Sequence, residues 1–283
     1  MDGVAANAQL ALLLEVAGTP KPGNVDRRRE LDDLRFEHFL AGAIGARRGL
    51  EMAAAGAAVG TAFERAVAGM ADQRGGNTQF GALLVLVPLV RAAADDLSQP
   101  VAESVAAETT VADAAAFYRA FEHVDVAVDD PPADADALDV RRGSDAIPAV
   151  EARGLTLQEV MALSVPGDDV AREWVTGFER SFAAADRIAV DDGPIADRAA
   201  AVFLELLAER PDTHVQTTHG AETAREVTDR AASLVDRDAL ETQPGAVDGF
   251  ADELVDRGIN PGTTADLTAA GLFIALERGA IRV

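Results

Sequence analysis

The stretch DDVAREWVTGFERSFAAADRIAV, residues 168–190, places Val170, Trp174, Phe178, Phe182 and Ile188 near one face, with Arg172, Glu179 and Arg180 mostly elsewhere. Apolar residues recurring at helical spacing predict one long amphipathic helix. Helix-start signals recur outward from it, each a threonine followed three positions later by an acid or amide. They are Thr61 with Glu64, Thr110 with Asp113, Thr156 with Glu159, Thr213 with Gln216, and Thr263 with Asp266. Each fits a capping box, in which two side chains satisfy N–H groups left open at a helix start. The apolar run Phe80 to Val90 is too short to span a bilayer and contains Pro88, which predicts a buried, bent core helix.

Strand signals are scarce. Only HVDVAVDD, residues 123–130, alternates cleanly, and it runs into prolines and further acids. One isolated strand does not make a sheet. The expectation is an all-α protein, a single domain over 1–283, with roughly ten to twelve helices given ordinary helix and loop lengths. Residues 125–139, with six aspartates and two prolines, read as an acidic solvated loop within that domain.

Composition narrows the function classes. Forty-eight acidic residues against 25 basic ones give a formal charge of -23, which repels nucleic-acid phosphates and anionic membranes. With 48% hydrophobic residues there is still ample core material, so the acidity reads as salt adaptation of a soluble, cytoplasmic protein. The N-terminus carries an acid where a secretion signal carries positive charge. Absence of cysteine removes disulfides, thiolate nucleophiles and thiolate-bound metals. His214 and His219, five apart, do not share a helical face, so a two-histidine metal site is not expected. No phosphate loop, GxGxxG, HExxH or GxSxG pattern occurs.

Three polar, glycine-containing breaks remain as places for chemistry. In TPKPGNVDRRRELDD the chain's one lysine, Lys21, stands between two prolines, with Gly23 and Asn24 after it and Arg27 to Arg29 close behind. Prolines stiffen such a loop and glycine permits close approach, so Lys21 and Arg27 are expected to meet a polyphosphate in a cleft. A lysine that survives where arginine is otherwise preferred points to a need for a compact charge. In RGGNTQFGALLVLVPL, Gly76, Asn77 and Thr78 precede the apolar helix and suit a phosphate or ribose cradle, although Asn77 or Thr78 also suits a cap. In GINPGTTADLTAAGLFIALERG, the dense run holding Asn260, Gly262, Thr263, Thr264 and Asp266 exceeds what a cap requires. Carboxylates complete the set. Asp32, Asp33, Asp168, Asp169 and Asp266 are candidate magnesium ligands, and Asp33, Asp169 and Glu173 are candidate acid–base groups.

The segments EVAGTPKPGNVDR, GGNTQFGALLVLVPL, LTLQEVMALSVPGDDVAREW, DTHVQTTHGAETAREV and INPGTTADLTAAGLF, in this order, resemble the triphosphoribosyl-dephospho-CoA synthase family, in particular its archaeal branch. The resemblance covers almost the whole chain. It implies an all-helical transferase that moves the 5-triphosphoribosyl group of ATP to the 2′-hydroxyl of 3′-dephospho-CoA and releases adenine, a chemistry in which magnesium on the candidate carboxylates would bridge to the phosphates. The product of such an enzyme is the precursor of a prosthetic group of acyl-carrier subunits. Bacterial members resemble one another in an NTHKG-type loop, whereas this chain reads NTQFG at residues 77–81. Ribosyl or phosphate transfer in another cofactor pathway, or nucleotide binding without turnover, are the alternatives.

Overall fold

The computed structural model describes residues 3–131, 135–165 and 167–283. Among these the chain is all-α, with sixteen α-helices in the order α1 (Val4–Ala17), α2 (Phe36–Ala54), α3 (Val59–Met70), α4 (Phe80–Ala93), α5 (Gln99–Ala107), α6 (Val111–Ala120), α7 (Ile147–Arg153) and α8 (Leu157–Ser164), then α9 (Asp169–Val175), α10 (Glu179–Val190), α11 (Ile195–Glu209), α12 (Thr213–His219), α13 (Ala221–Val235), α14 (Ala239–Thr242), α15 (Pro244–Asp256) and α16 (Gly262–Glu277). The number exceeds the expected ten to twelve because short helices such as α12 and α14 add to it. A further one comes from the opening stretch, which is two helices and not one. Gly177 (φ 66°) and Phe178 (φ 60°) turn left-handed between α9 and α10, and this turn carries Phe178 into the core beside Trp174.

Of the five expected capping boxes, Thr110/Asp113 and Thr156/Glu159 form. Thr61, Thr213 and Thr263 instead lie inside the first turn, because α3, α12 and α16 begin one or more residues earlier. Residues 123–130 form no strand; the one bridge among the described residues, Asp26 with Arg29, is local to a turn. No helix among them is long and apolar enough to cross a membrane.

Two helices organise the main core. Helix α4, as its apolar run predicts, is buried on nearly every face, and so is α16 from Thr263 to Leu276. Helices that are apolar all round belong in the interior. Helix α16 packs against α1, α4 and α10, while a smaller second core joins α11, α13 and α15. Helices α11 and α16 contribute residues to both cores.

Close approach of α2 and α3 rests on glycine. A Cβ on Gly49 would stand 2.4 Å from the Ala66 nitrogen and 2.5 Å from the Ala62 oxygen, both backbone atoms that cannot step aside. In an exposed helix Gly→Ala stabilises by about 1 kcal/mol. Here the sign reverses: Gly49→Ala is expected to lower stability by about 1–3 kcal/mol through overpacking, read as a lowered melting temperature. A melting temperature at or above wild type would contradict this packing.

Candidate active site

The first break is held from beneath. Lys21 is fully buried, and its ammonium donates to Glu15 of α1 and to Asn24 Oδ1 at 2.7 Å, with the Phe203 ring centroid 5.7 Å away. The Thr19–Pro20 peptide is cis. Asp26 fixes the rest of the loop by accepting from Thr19 Oγ1 and from the N–H groups of Lys21, Arg28 and Arg29. Gly23 (φ 75°) lies so close to the third break that a Cβ there would stand 2.1 Å from the Ile259 oxygen. Asn24 Nδ2 then donates to Asn260 Oδ1 at 2.8 Å, so the first and third breaks are physically joined.

The second break meets the third through Asp266. Asn77 Oδ1 accepts from the Phe80 N–H at 3.1 Å, which makes it a cap for α4. One residue on, a Cβ at Gly81 would fall 2.0 Å from Asp266 Oδ2, so glycine clears the place where the carboxylate lies against the start of α4. Gly75 and Gly76 do not form the expected cradle. Gly75 packs on the His38 ring, and Gly76 turns left-handed in an exposed position outside the cavity wall.

Asp212 and His214 were not singled out as site residues by sequence, and both belong here. Asp212 caps α12 by accepting from the Val215 N–H, and it also accepts from Thr264 N–H and Oγ1, each at 2.7 Å. Thr264 is therefore buried against Asp212, not presented to a ligand. Thr213 and Thr263 hydroxyls meet at 3.0 Å, and the His214 ring packs on Gly262. The available signal was an acid directly before a threonine and a histidine, read as a cap displaced by one residue.

These loops converge on one cavity of about 750 Å³, within the ~300–1,000 Å³ usual for small-molecule sites. Asn24, Asn77, Thr78, Asn260, Gly262 and Thr263 all line it. Glu15, Asp33, Asp168, His214 and Asp266 do too. The acidic stretch 125–139 is not merely a solvated loop: Asp125, Asp129, Asp130 and Asp139 form part of the wall, while residues 132–134 lie outside the described residues. Arg141 engages Asp130 and Asp139 from outside that wall.

Several expected roles do not fit the geometry. Asp169 is a buried hub for Arg172, Arg180 and Arg210, at 3.0 to 3.1 Å, and does not line the cavity. Glu173 accepts from Ser181 Oγ at 2.6 Å and from the N–H groups of Ser181 and Arg180, so it caps α10. Both carboxylates are thus engaged by protein groups, and neither lines the cavity where the expected acid–base group would act. Asp32 is exposed outside the cavity, as is Arg27. Arg29 is held by Asp26, Asp248 and Asp252, and Arg28 stands 3.9 Å from Asp248. Lys21 neutralises Glu15. The expected cationic pocket is thus acidic: no lysine or arginine is among the described residues that line it.

Burial sets the proton affinities of these acids. Desolvation raises Asp266 well above the usual carboxylate range, and repulsion from Glu15 and Asp212 adds to it. Desolvation raises Glu15 against the opposing pull of Lys21, and raises Asp168 against the N–H groups of Ala171 and Val170. It lowers His214, which favours the neutral imidazole. The donor set is oxygen-rich and matches a hard cation. Among the described residues no three acidic or histidine groups already converge as a metal cage.

Comparison with known proteins agrees with the shared loop cluster. The CitG family, described as ATP:dephospho-CoA triphosphoribosyl transferase, matches residues 1–282. A crystal structure from Archaeoglobus fulgidus, provisionally named a triphosphoribosyl-dephospho-CoA synthase, superposes with a TM-score of 0.69 at 26% identity, covering 85% of this chain and 99% of that one. No curated protein gives a significant match. Because the match runs through all the segments whose loops meet at the cavity, and the fold agrees with that of a solved structure bearing the family's name, the chain belongs to the ATP:dephospho-CoA triphosphoribosyl transferase family.

Proposed function

We propose that the cavity performs this family's transfer, moving the 5-triphosphoribosyl group of ATP to the 2′-hydroxyl of 3′-dephospho-CoA. The bond between C1′ of the ATP ribose and adenine breaks, and the acceptor's 2′-oxygen bonds to C1′. The hydroxyl proton goes first to a carboxylate and, over the whole reaction, to the departing adenine. The observation that carries the reading is the junction of the three motif loops, Asn24 on Asn260 and Gly81 on Asp266, at one acidic cavity.

Within it, Asp266 is the group best suited to take the proton, since a carboxyl with raised proton affinity is a stronger base than an exposed aspartate. Asn24, Asn260 and Thr263 offer neutral hydrogen bonds for ribose and phosphate oxygens. The acidic wall by itself repels a triphosphate, so the reading includes magnesium, held by Asp33 and Asp168, both of which reach the cavity. Asp168 engages the α9 amides through Oδ1 alone. Bound there, the cation would neutralise phosphate charge.

The test is mass analysis of products after incubation at high salt with ATP, magnesium and dephospho-CoA. Free adenine and a dephospho-CoA adduct heavier by one triphosphoribosyl group are expected, both lost on chelation of the metal. Absence of adenine, or adenine release that ignores dephospho-CoA, would overturn the proposed reaction.

A further inference from the structure

Beside the motif loops the cavity has a second character. Phe39, Phe80, Phe117, Tyr118 and Phe121 all line it, in a chain with only 11 phenylalanines, one tyrosine and one tryptophan. Four of these rings form a continuous group: Phe80 meets Phe121 edge-on at 4.9 Å, Phe121 meets Phe117 at 5.2 Å, and Phe117 meets Tyr118 at 5.8 Å. Gln79 lies next to this group. Its residue is only 3% exposed, it lines the cavity, and among the described residues both its Nε2 and its Oε1 are without a hydrogen-bond partner. The neighbouring Thr78 Oγ1 is buried and unpartnered as well.

A buried amide with neither edge satisfied is costly, and native proteins rarely leave one so. The backbone around it looks arranged for these groups. Gly42 of α2 leaves room for them, since a Cβ there would stand 2.5 Å from Thr78 Oγ1 and 3.2 Å from Gln79 Oε1. The Gln79 N–H is taken by Met70 Sδ at 3.2 Å, a residue outside the cavity wall, which leaves the side chain as the free recognition element of the residue.

We propose that Gln79 reads the edge of an adenine ring whose faces are covered by the Phe80–Phe117–Phe121 group. An amide offers one donor and one acceptor side by side, the complement of adenine's ring nitrogen and 6-amino group. Aromatic side chains supply stacking that any base accepts. The amide supplies the selectivity, because a site built to hydrogen-bond a group rejects the analogue that lacks it. The inference rests on the proposed transfer for its choice of ligands. Both substrates of that transfer carry adenine, so the ring bound here belongs to ATP or to dephospho-CoA.

The probe is equilibrium binding, without turnover, of ATP, of purine riboside 5′-triphosphate, which lacks the 6-amino group, and of dephospho-CoA, all with magnesium at high salt. Wild type is expected to prefer ATP to the purine analogue on the order of 10- to 100-fold. Gln79→Leu, which removes the unpaired groups at similar volume, should abolish that preference and melt at or above the wild-type temperature. If the variant instead loses affinity for dephospho-CoA alone by a similar factor, the adenine read is the acceptor's. Equal binding of ATP and the analogue by wild type, with dephospho-CoA affinity unchanged in the variant, would overturn the proposal. So would a variant that keeps both affinities. Because binding is measured without reaction, loss of selectivity in an inactive protein would reject the proposed transfer while leaving the role of Gln79 standing.

Discussion

Replacing Asp266 with asparagine is expected to cut adenine release at least about 100-fold while making the protein more stable at neutral pH. The first effect follows from the loss of a group able to take the hydroxyl proton, a contribution typically worth about 10²–10⁴-fold. The second follows from burial. Asp266 is desolvated and faces repulsion from Glu15 and Asp212, so its pKa stands well above the ordinary 3.8. A carboxyl raised in this way contributes stability that is fully present below its unfolded pKa and is lost as pH rises through the folded one. Asparagine keeps an oxygen for the start of α4 and carries no charge to desolvate. The stability gain of Asp266→Asn over wild type should therefore be near zero below pH 3.8 and widen as pH rises. Chromatographic assay of adenine, with melting curves across this pH range, checks both halves. An active variant, or one that melts below wild type at neutral pH, would remove Asp266 from the role assigned to it.

Features governed by neighbours in sequence were legible, and features governed by distant partners were not. The run Phe80 to Val90 is apolar on every side, and that alone dictates an interior helix. The boxes at Thr110 and Thr156 likewise need only residues three positions away. Period alone could not reveal the break at Gly177 and Phe178, because Phe178 reaches the core just as a helical residue would, through a left-handed turn.

The site divides the same way. The three motif breaks were found because each carries glycine and small polar residues before an apolar helix, and Asn24, Asn77, Thr78, Asn260, Gly262 and Thr263 do reach one cavity. Charged residues were misleading. Arg29 reads as an anion site until Asp248 and Asp252, more than 200 positions away, are brought to it by α15. Asp169 and Glu173 read as catalytic acids until Arg210 and Ser181 occupy them. An ion's local sequence does not disclose its partner, and for a carboxylate the partner decides whether it is a tool or a fastening.

Lys21 is the sharpest case, and its replacement by methionine is expected to act on folding before it acts on chemistry. As a fully buried ammonium it is closed to solvent and serves Glu15 and Asn24. Removing it leaves Glu15 ionisable, desolvated and within the repulsion of Asp26, with nothing opposing the shift that burial imposes. Breaking one side of a buried pair typically destabilises by about 3–5 kcal/mol, which for a chain of this size lowers the melting temperature by roughly 10 °C. Lysine→arginine is expected to fare no better, because a planar fork cannot replace a compact ammonium held between two side chains on the same small loop. The double replacement Lys21→Met with Glu15→Leu removes both charges at similar volume and should regain most of the lost stability. It should not regain adenine release, since Glu15 is gone from the cavity wall and Asn24 has lost the donor that orients its amide toward Asn260. Thermal melting of the two single variants and the double, beside their adenine release, separates the contributions. A Lys21→Met protein that melts with wild type yet fails to bind ATP would reverse the assignment and place the ammonium on the nucleotide. A double variant as unstable as the single one would show that the lysine stem, and not its charge, holds the loop.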